Sequence, residues 1–415
     1  MDELSLLESY SFPITFNEVK SIIQSGDYQR LKGIIESGRI SDINMIDDDD
    51  EGISLLHLAC CSGNIDMVTL IIERGSAISD RVLLKLFKCT DIISNYDVTN
   101  VLCEYIVDVN YEEHSCKPFL YHACTTGNAA VTRLLLERGA IVDLSTLCKS
   151  CTMEYTEVVR LLLTCNQTVH KFSKRSVSVP LQLSSRSGHL AIVRYLVEYG
   201  TDQEGLNGAL YEAIDRNHRD VAEYLIDNGA VISFYADRAC NEFMFACYRG
   251  ASDVVALLLS RGADPNTVDG KGEPALHAAL HFPAILKVLL EHGADPNVYN
   301  SDGCTALLEL LRYTEAFNTE SLTVLLQSGL VDVNLAHAHT GETALMIAAL
   351  CGRIESVKLL LRYGADVTQV NNDGQTVMDI LSSDEDTPEG GHEEVIQLCK
   401  QYIDTNKHTD KPVLK

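Results

Sequence analysis

No apolar stretch in this chain approaches the roughly 20 residues that a helix needs to cross a bilayer. Runs such as VVALLL (254–259) are far shorter, so membrane insertion is not expected. Cations are also scarce: 33 Lys and Arg face 59 Asp and Glu, for a net charge of −26. Such a balance repels a phosphate backbone and an anionic lipid surface, which argues against a nucleic-acid partner. The N-terminal residues MDELSLLESYSFPITF lack a basic segment followed by an apolar one, so secretion is not expected either. The 14 cysteines are scattered without regular spacing, in a chain too long to need disulfide stapling, which suits a reducing compartment. The expectation is a cytoplasmic protein, with the nucleus left open. A glycine-rich phosphate loop, a Gly-x-Ser-x-Gly elbow and a His-Glu-x-x-His stretch are all missing, so neither an enzyme nor a cofactor is expected.

What the chain does contain is a repeat. Hydrophobic residues make up 46% of it and charged residues 22%, enough to bury a core along most of the length. A Leu-rich run ending in Gly and a small residue recurs as LIIERGS (70–76), LLLERGA (134–140), YLVEYGT (195–201), YLIDNGA (224–230), LLLSRGA (257–263), VLLEHGA (288–294) and LLLRYGA (359–365), with LLQSGL (325–330) as a weaker copy. Glycines at 229, 262, 293, 329 and 364 give a mean step close to 34 residues. The gaps of 64 and 61 residues from Gly75 to Gly139 and from Gly139 to Gly200 each hide a copy without its glycine, at 83–110 and 145–166.

Each unit predicts two short amphipathic helices. In 237–266, apolar or small residues at Phe243, Ala246 and Cys247, then at Val254, Val255, Leu258 and Leu259, recur at helical spacing around a break at Gly250. Gly262 then ends the second helix in a conformation open to glycine at no steric cost. ADPN (263–266), ADPN (294–297) and VDVN (331–334), with the pairs Asp269-Gly270, Asp302-Gly303 and Asp373-Gly374, read as short hairpin-like loops. Pro118, Pro180 and Pro274 open the helices that follow, where a missing N–H does no harm.

GISLLHLACCSGNIDMVTLIIERGS (52–76), GEPALHAALHFPAILKVLLEHGA (272–294) and GETALMIAALCGRIESVKLLLRYGA (341–365) resemble ankyrin repeats. The family's Thr-Pro-Leu-His start survives as SLLH (54–57) and EPALH (273–277), and its Thr alone at Thr305, Thr343 and Thr376. The resemblance implies an all-α solenoid of stacked helix pairs with short hairpin loops, each pair burying its apolar face against its neighbours. The expected organisation is a segment at 1–15, one array of about 11 to 12 units over 16–403 with caps at 16–44 and 371–403, and a tail at 404–415. The basic stretch 166–180 and the shortened step from Gly200 to Gly229 lead us to expect a bend or loosening within 141–230.

Several clusters invite a chemical reading. The acid run 47–51 fails as a calcium loop, because counting from Asp47 puts Gly52 sixth but Leu58 twelfth, where a Glu is needed. It reads as an enlarged solvated tip. Cys60, Cys124, Cys151 and Cys247 fall at one shared slot where the family has a small alanine, so they read as packing. Cys148, Cys151, Cys165 and His170 have gaps resembling a zinc pattern. Their register places them toward different neighbours, so no metal is assigned there. His57 and His277 take the helix-start slot, where the resemblance implies a ring bonded to backbone of a neighbouring unit.

The residues just before the turn of each first helix are Arg186, Arg216, Tyr248 with Arg249, His281 with Phe282, and Arg312 with Tyr313. In the family these would face the concave groove. Arg and Tyr are frequent interface anchors, and Arg holds a carboxylate or phosphate in a bidentate pair. The expected function is a non-catalytic scaffold or adaptor gripping a protein partner with an acidic or phosphorylated segment. Two alternatives stand beside it: a regulatory or substrate-receptor subunit of a ubiquitin ligase or channel, and a zinc-dependent sensor at 148–170. Lys174-Arg175-Ser176 and the acidic stretch 382–387 read as candidate kinase targets.

Overall fold

The computed structural model describes residues 14–46, 53–112, 117–165, 172–231, 241–313, 319–383 and 391–406. Among them the chain forms 25 helices and no strand beyond two isolated bridges. Its contacts divide it into two compact units, residues 1–184 with 189–202 and residues 185–188 with 203–415. The boundary falls inside 141–230, the stretch where the repeat step shortens.

The first unit runs α1 (Phe16–Ser25), α2 (Tyr28–Glu36), α3 (Leu55–Ser62), α4 (Ile65–Glu73), α5 (Asp80–Phe87), α6 (Thr90–Ser94), α7 (Tyr96–Glu104), α8 (Phe119–Thr125), α9 (Ala129–Glu137), α10 (Leu144–Thr152), α11 (Thr156–Thr164), most of α12 (Ser178–Ser187) and α13 (Leu190–Tyr199). Helices α2, α4, α7, α9, α11 and α13 pack in that order as one layer. Opposite them α1 packs on α3, α3 on α6, α5 on α8 and α8 on α10. The degenerate copy at 83–110 thus supplies three helices where the pattern calls for two.

The second unit contains the end of α12, then α14 (Gln203–Asp215), α15 (Arg219–Asp227), α16 (Glu242–Arg249), α17 (Ser252–Ser260), α18 (Ala275–Ala278), α19 (Pro283–Glu291), α20 (Ala306–Tyr313), α21 (Thr319–Gln327), α22 (Ala344–Leu350), α23 (Ile354–Arg362), α24 (Val377–Ser383) and α25 (Gly391–Asn406). First helices α14, α16, α18, α20, α22 and α24 pack in sequence, and second helices α15, α17, α19, α21, α23 and α25 do the same behind them. The expected apolar positions Phe243, Ala246, Cys247, Val254, Val255, Leu258 and Leu259 are all buried between these layers. The four slot cysteines Cys60, Cys124, Cys151 and Cys247 are buried too, as small packing residues.

Two devices join successive units. The first is steric. Gly250 ends α16 at φ +75°, and a Cβ there would stand 2.5 Å from the Phe282 ring of the next unit. Only a residue without a side chain lets that ring close on the turn. Gly127 and Tyr155 repeat the arrangement. The second is a ladder of loop asparagines. Asn266 Nδ2 donates to Gly293 O at 3.2 Å while its Oδ1 accepts from Asp295 N at 2.8 Å. Asn297 bonds Leu330 O and Asp332 N at 2.9 and 2.8 Å, and Asn334 bonds Gly364 O and Asp366 N at 3.2 and 2.8 Å. Each amide thereby satisfies one donor and one acceptor of the following loop that would otherwise be left to water.

The hairpin-like loops form as expected. Asp269 N donates to Glu273 O and Ala275 N to Thr267 O, at 2.9 and 3.0 Å, beside the Val268–Pro274 bridge. Pro118 and Pro274 are N-caps of α8 and α18, and Pro180 sits in the first turn of α12.

Candidate functional site

The stripe read from the sequence falls in the second unit, at the ends of its first helices. Arg186 lies in the last turn of α12, Arg216 just past α14, Tyr248 and Arg249 at the end of α16, His281 and Phe282 between α18 and α19, and Arg312 near the end of α20. All but Phe282 are exposed, and Phe282 is half-buried because its ring covers Gly250. Tyr313 closes α20, and its side chain lies outside the described residues.

The guanidinium groups are arranged around carboxylates of α14. Arg249 Nη2 stands 2.6 Å from Asp215 Oδ1, and Arg216 Nε stands 3.2 Å from Asp215 Oδ2. Arg186 Nε lies 3.9 Å from Glu212 Oε2, one helical turn earlier on the same helix. Arg312 Nη1 lies 3.2 Å from the His337 ring. An acidic ligand therefore meets cations that already share carboxylates, and must compete for them. The guanidinium groups are exposed, whereas the Asp215 and Glu212 side chains are only 16% and 25% exposed, so a competing anion reaches the arginines from solvent without displacing the carboxylates themselves.

Aromatic surface adjoins these cations. Tyr211 of α14 stacks on Phe245 of α16 with ring centroids 4.2 Å apart and planes 18° from parallel. Tyr211 remains 49% exposed and Tyr248 41% exposed. Against its burial, backbone bonds from Glu273 and Lys271 hold the Asp269 carboxyl below its usual range, and the Tyr248 hydroxyl adds to them by donating to Oδ2 at 2.9 Å. Reading only the residues before each turn finds Tyr248 but misses Tyr211 and Phe245, which lie earlier in their helices. Their spacing from Arg186 and Arg249 through the repeat register was the available signal.

His277 does what its slot implies. Its Nε2 lies 3.1 Å from Cys304 O of the next unit, and burial pushes its pKa down to about 4. Beside it Glu309 is crowded by Glu273 and Asp302, and burial first, then these carboxylates, push its pKa up to about 7. His57, in the same slot of an earlier unit, has no hydrogen bond to its ring among the described residues. Cys148, Cys151 and Cys165 do not gather into a ligand group among the described residues. His170, the acid run 47–51 and most of 382–387 lie outside them. Ser176 is described, its hydroxyl 2.7 Å from that of Ser173. No helix among the described residues is long and apolar enough to cross a membrane.

Comparison with known proteins matches this architecture. A family model described as ankyrin repeats (3 copies) matches residues 147–235, 243–329 and 310–409, more than half of the chain, and a single ankyrin-repeat model matches 51–81. Among curated relatives, putative palmitoyltransferase ZDHHC13 of Danio rerio is 29% identical over 205 residues, 48% of this chain and 31% of that protein. Probable E3 ubiquitin-protein ligase XBOS32 of Oryza sativa subsp. japonica is 29% identical over 48% of this chain and 40% of its own length. Transient receptor potential cation channel subfamily A member 1 of Homo sapiens is 26% identical over 58% of this chain and 26% of its own. The chain thus spans less than half the length of these relatives. Stacked helix pairs, left-handed turn glycines, the inter-unit histidine bond and the matching family model converge on one conclusion: this chain belongs to the ankyrin-repeat family.

Proposed function

We propose that the chain is a non-catalytic scaffold or adaptor that captures a protein partner on the first-helix face of its second unit. The observation that carries this is the pair of exposed rings Tyr211 and Tyr248, with the half-buried Phe245 ring stacked on Tyr211, beside the guanidinium groups of Arg186, Arg216 and Arg249. Tyrosine gives large contact area at low entropic cost, and arginine supplies charge-assisted bonds. A partner segment carrying carboxylates or phosphates would share these guanidinium groups with Asp215 and Glu212 while its apolar side chains lie on the rings. Arg312 and Tyr313 extend the same line of first helices, and His281 and Phe282 lie between them and α16.

The test is affinity capture from the native cell with wild type, Tyr211→Ala/Tyr248→Ala and Arg216→Glu/Arg249→Glu side by side, and Lys287→Glu on the second-helix side as control. Loss of the partner in both double variants, at unchanged melting temperature and with the control intact, supports the proposal. Equal capture by all four sinks it.

A second reading makes the array the recruiting element of a larger assembly, a regulatory or substrate-receptor subunit. Its support is that arrays like this one occur in relatives named as a ubiquitin ligase and a cation channel. Ligase activity or a channel subunit in the captured material would favour it.

A further inference from the structure

The first unit brings together three metal-binding side chains that neither the fold nor the partner face uses. His57 and Cys61 lie four residues apart on α3, so helical geometry puts them on one face, one turn apart. Cys89 comes from the next copy, the degenerate one at 83–110, and sits between α5 and α6. One nitrogen of His57 and the sulfurs of Cys61 and Cys89 all lie within 4.8 Å of one another, and the two sulfurs are 4.0 Å apart. Two sulfurs bound tetrahedrally to zinc at about 2.3 Å stand about 3.8 Å from each other. The pair needs to move only a few tenths of an ångström.

Three further observations separate this cluster from packing. His277, the equivalent histidine, is buried and bonded to the Cys304 carbonyl of the following unit. His57 is only half-buried, and its ring makes no hydrogen bond among the described residues. The Cys89 thiol is equally uncommitted as a cap, since α6 has no side-chain cap bond although Cys89 is its N-cap residue. Cys61 is exposed, unlike the slot cysteine Cys60 beside it, which leaves solvent access on one side. A soft ion bound by one imidazole and two thiolates would keep a fourth position for water or for a group from a partner.

We propose that His57, Cys61 and Cys89 form a zinc site that clips α3 to the start of α6. Each thiol gives its proton to solvent on binding, so affinity falls as pH falls. The clip joins a regular unit to the three-helix degenerate one and couples metal supply to the stacking of these two units. It is distinct from the pattern at 148–170, whose cysteines form no such group among the described residues.

Cobalt(II) is the spectroscopic probe, with zinc(II) as competitor, on the full chain kept reduced by a phosphine and freed of metal. The expected result is one equivalent of cobalt with a thiolate charge-transfer band and the visible absorption of a tetrahedral ion, displaced by zinc. Cys61→Ser and Cys89→Ser should each lose the band, His57→Gln should weaken binding at least tenfold, and Cys148→Ser should bind like wild type. Circular dichroism of the metal-free variants checks folding, and exposed Cys61→Ser serves as the variant least able to disturb it. No cobalt absorption in the reduced protein, or a band undiminished in Cys61→Ser, overturns the proposal. So does loss of both thiols to a Cys61–Cys89 disulfide in air when stoichiometric zinc is present, since bound zinc should protect them.

Discussion

Glu309→Gln should make the second unit more stable at pH 8 and leave it unchanged near pH 4.5. The Glu309 side chain is 24% exposed, lies 3.9 Å from His277 Nε2, and accepts from Asn300 Nδ2 at 3.1 Å. That histidine is held neutral by burial, so it offers no compensating charge, while Glu273 and Asp302 add like charges. The carboxyl pKa is pushed up from 4.5 to about 7. The sign follows from proton binding: between these values the unfolded chain has lost the proton and the native protein still holds it. Stability from this group is therefore fully present below pH 4.5 and is lost as pH rises through 7. At about 1.4 kcal/mol per unit the full shift corresponds to about 3 kcal/mol, and residual solvent contact reduces this to about 1–2 kcal/mol. Gln keeps the acceptor for Asn300 and removes the charge. The assay is hydrogen exchange of the α18 and α20 amides in both proteins from pH 4.5 to 8, corrected for intrinsic rates, because an array need not unfold in one step. The change in His277 ionisation is common to both proteins and cancels in the difference. A difference that stays flat with pH, or a variant less protected at pH 8, would refute the reasoning.

Three further perturbations test how the units are joined. Gly250→Ala forces a left-handed alanine against the Phe282 ring and should cost about 2–4 kcal/mol, read as lost exchange protection in α16 and α19. Asn297→Ala removes both ladder bonds to the 330–332 loop and should cost about 1–3 kcal/mol, with protection lost at Asp332. Glu154, at φ +62° where α3, α8, α12, α16 and α22 turn on glycine, is strained; Glu154→Gly should gain about 0.5–1 kcal/mol after the entropy of glycine is counted, seen as a higher urea midpoint.

Most helix pairs were legible because they carry their own apolar period and their own turn glycine, and both signals are local. The loop asparagines were visible in ADPN and VDVN, but their role was not, since it consists of bonds to groups about 30 residues away. α6 escaped for a related reason: TDIIS is too short to show a period, and the degenerate copy lacks the glycine that marks phase elsewhere. For the candidate face, register alone placed Arg186, Arg216, Tyr248 and Arg249. It could not show that Asp215 draws two of these arginines together, nor that Phe282 is spent on covering Gly250. The His57, Cys61 and Cys89 grouping depends on the path of the chain through the irregular copy, which spacing does not encode.

Partners are proposed to dock on the first helices of the second unit. A hydrogen-exchange footprint of the protein with its captured partner tests this most directly. Slowed exchange is expected in 203–216 and 242–249, extending toward 306–313, with α15, α17 and α19 unchanged. Protection confined to those second helices, with α14 and α16 exchanging as in the free protein, would contradict it.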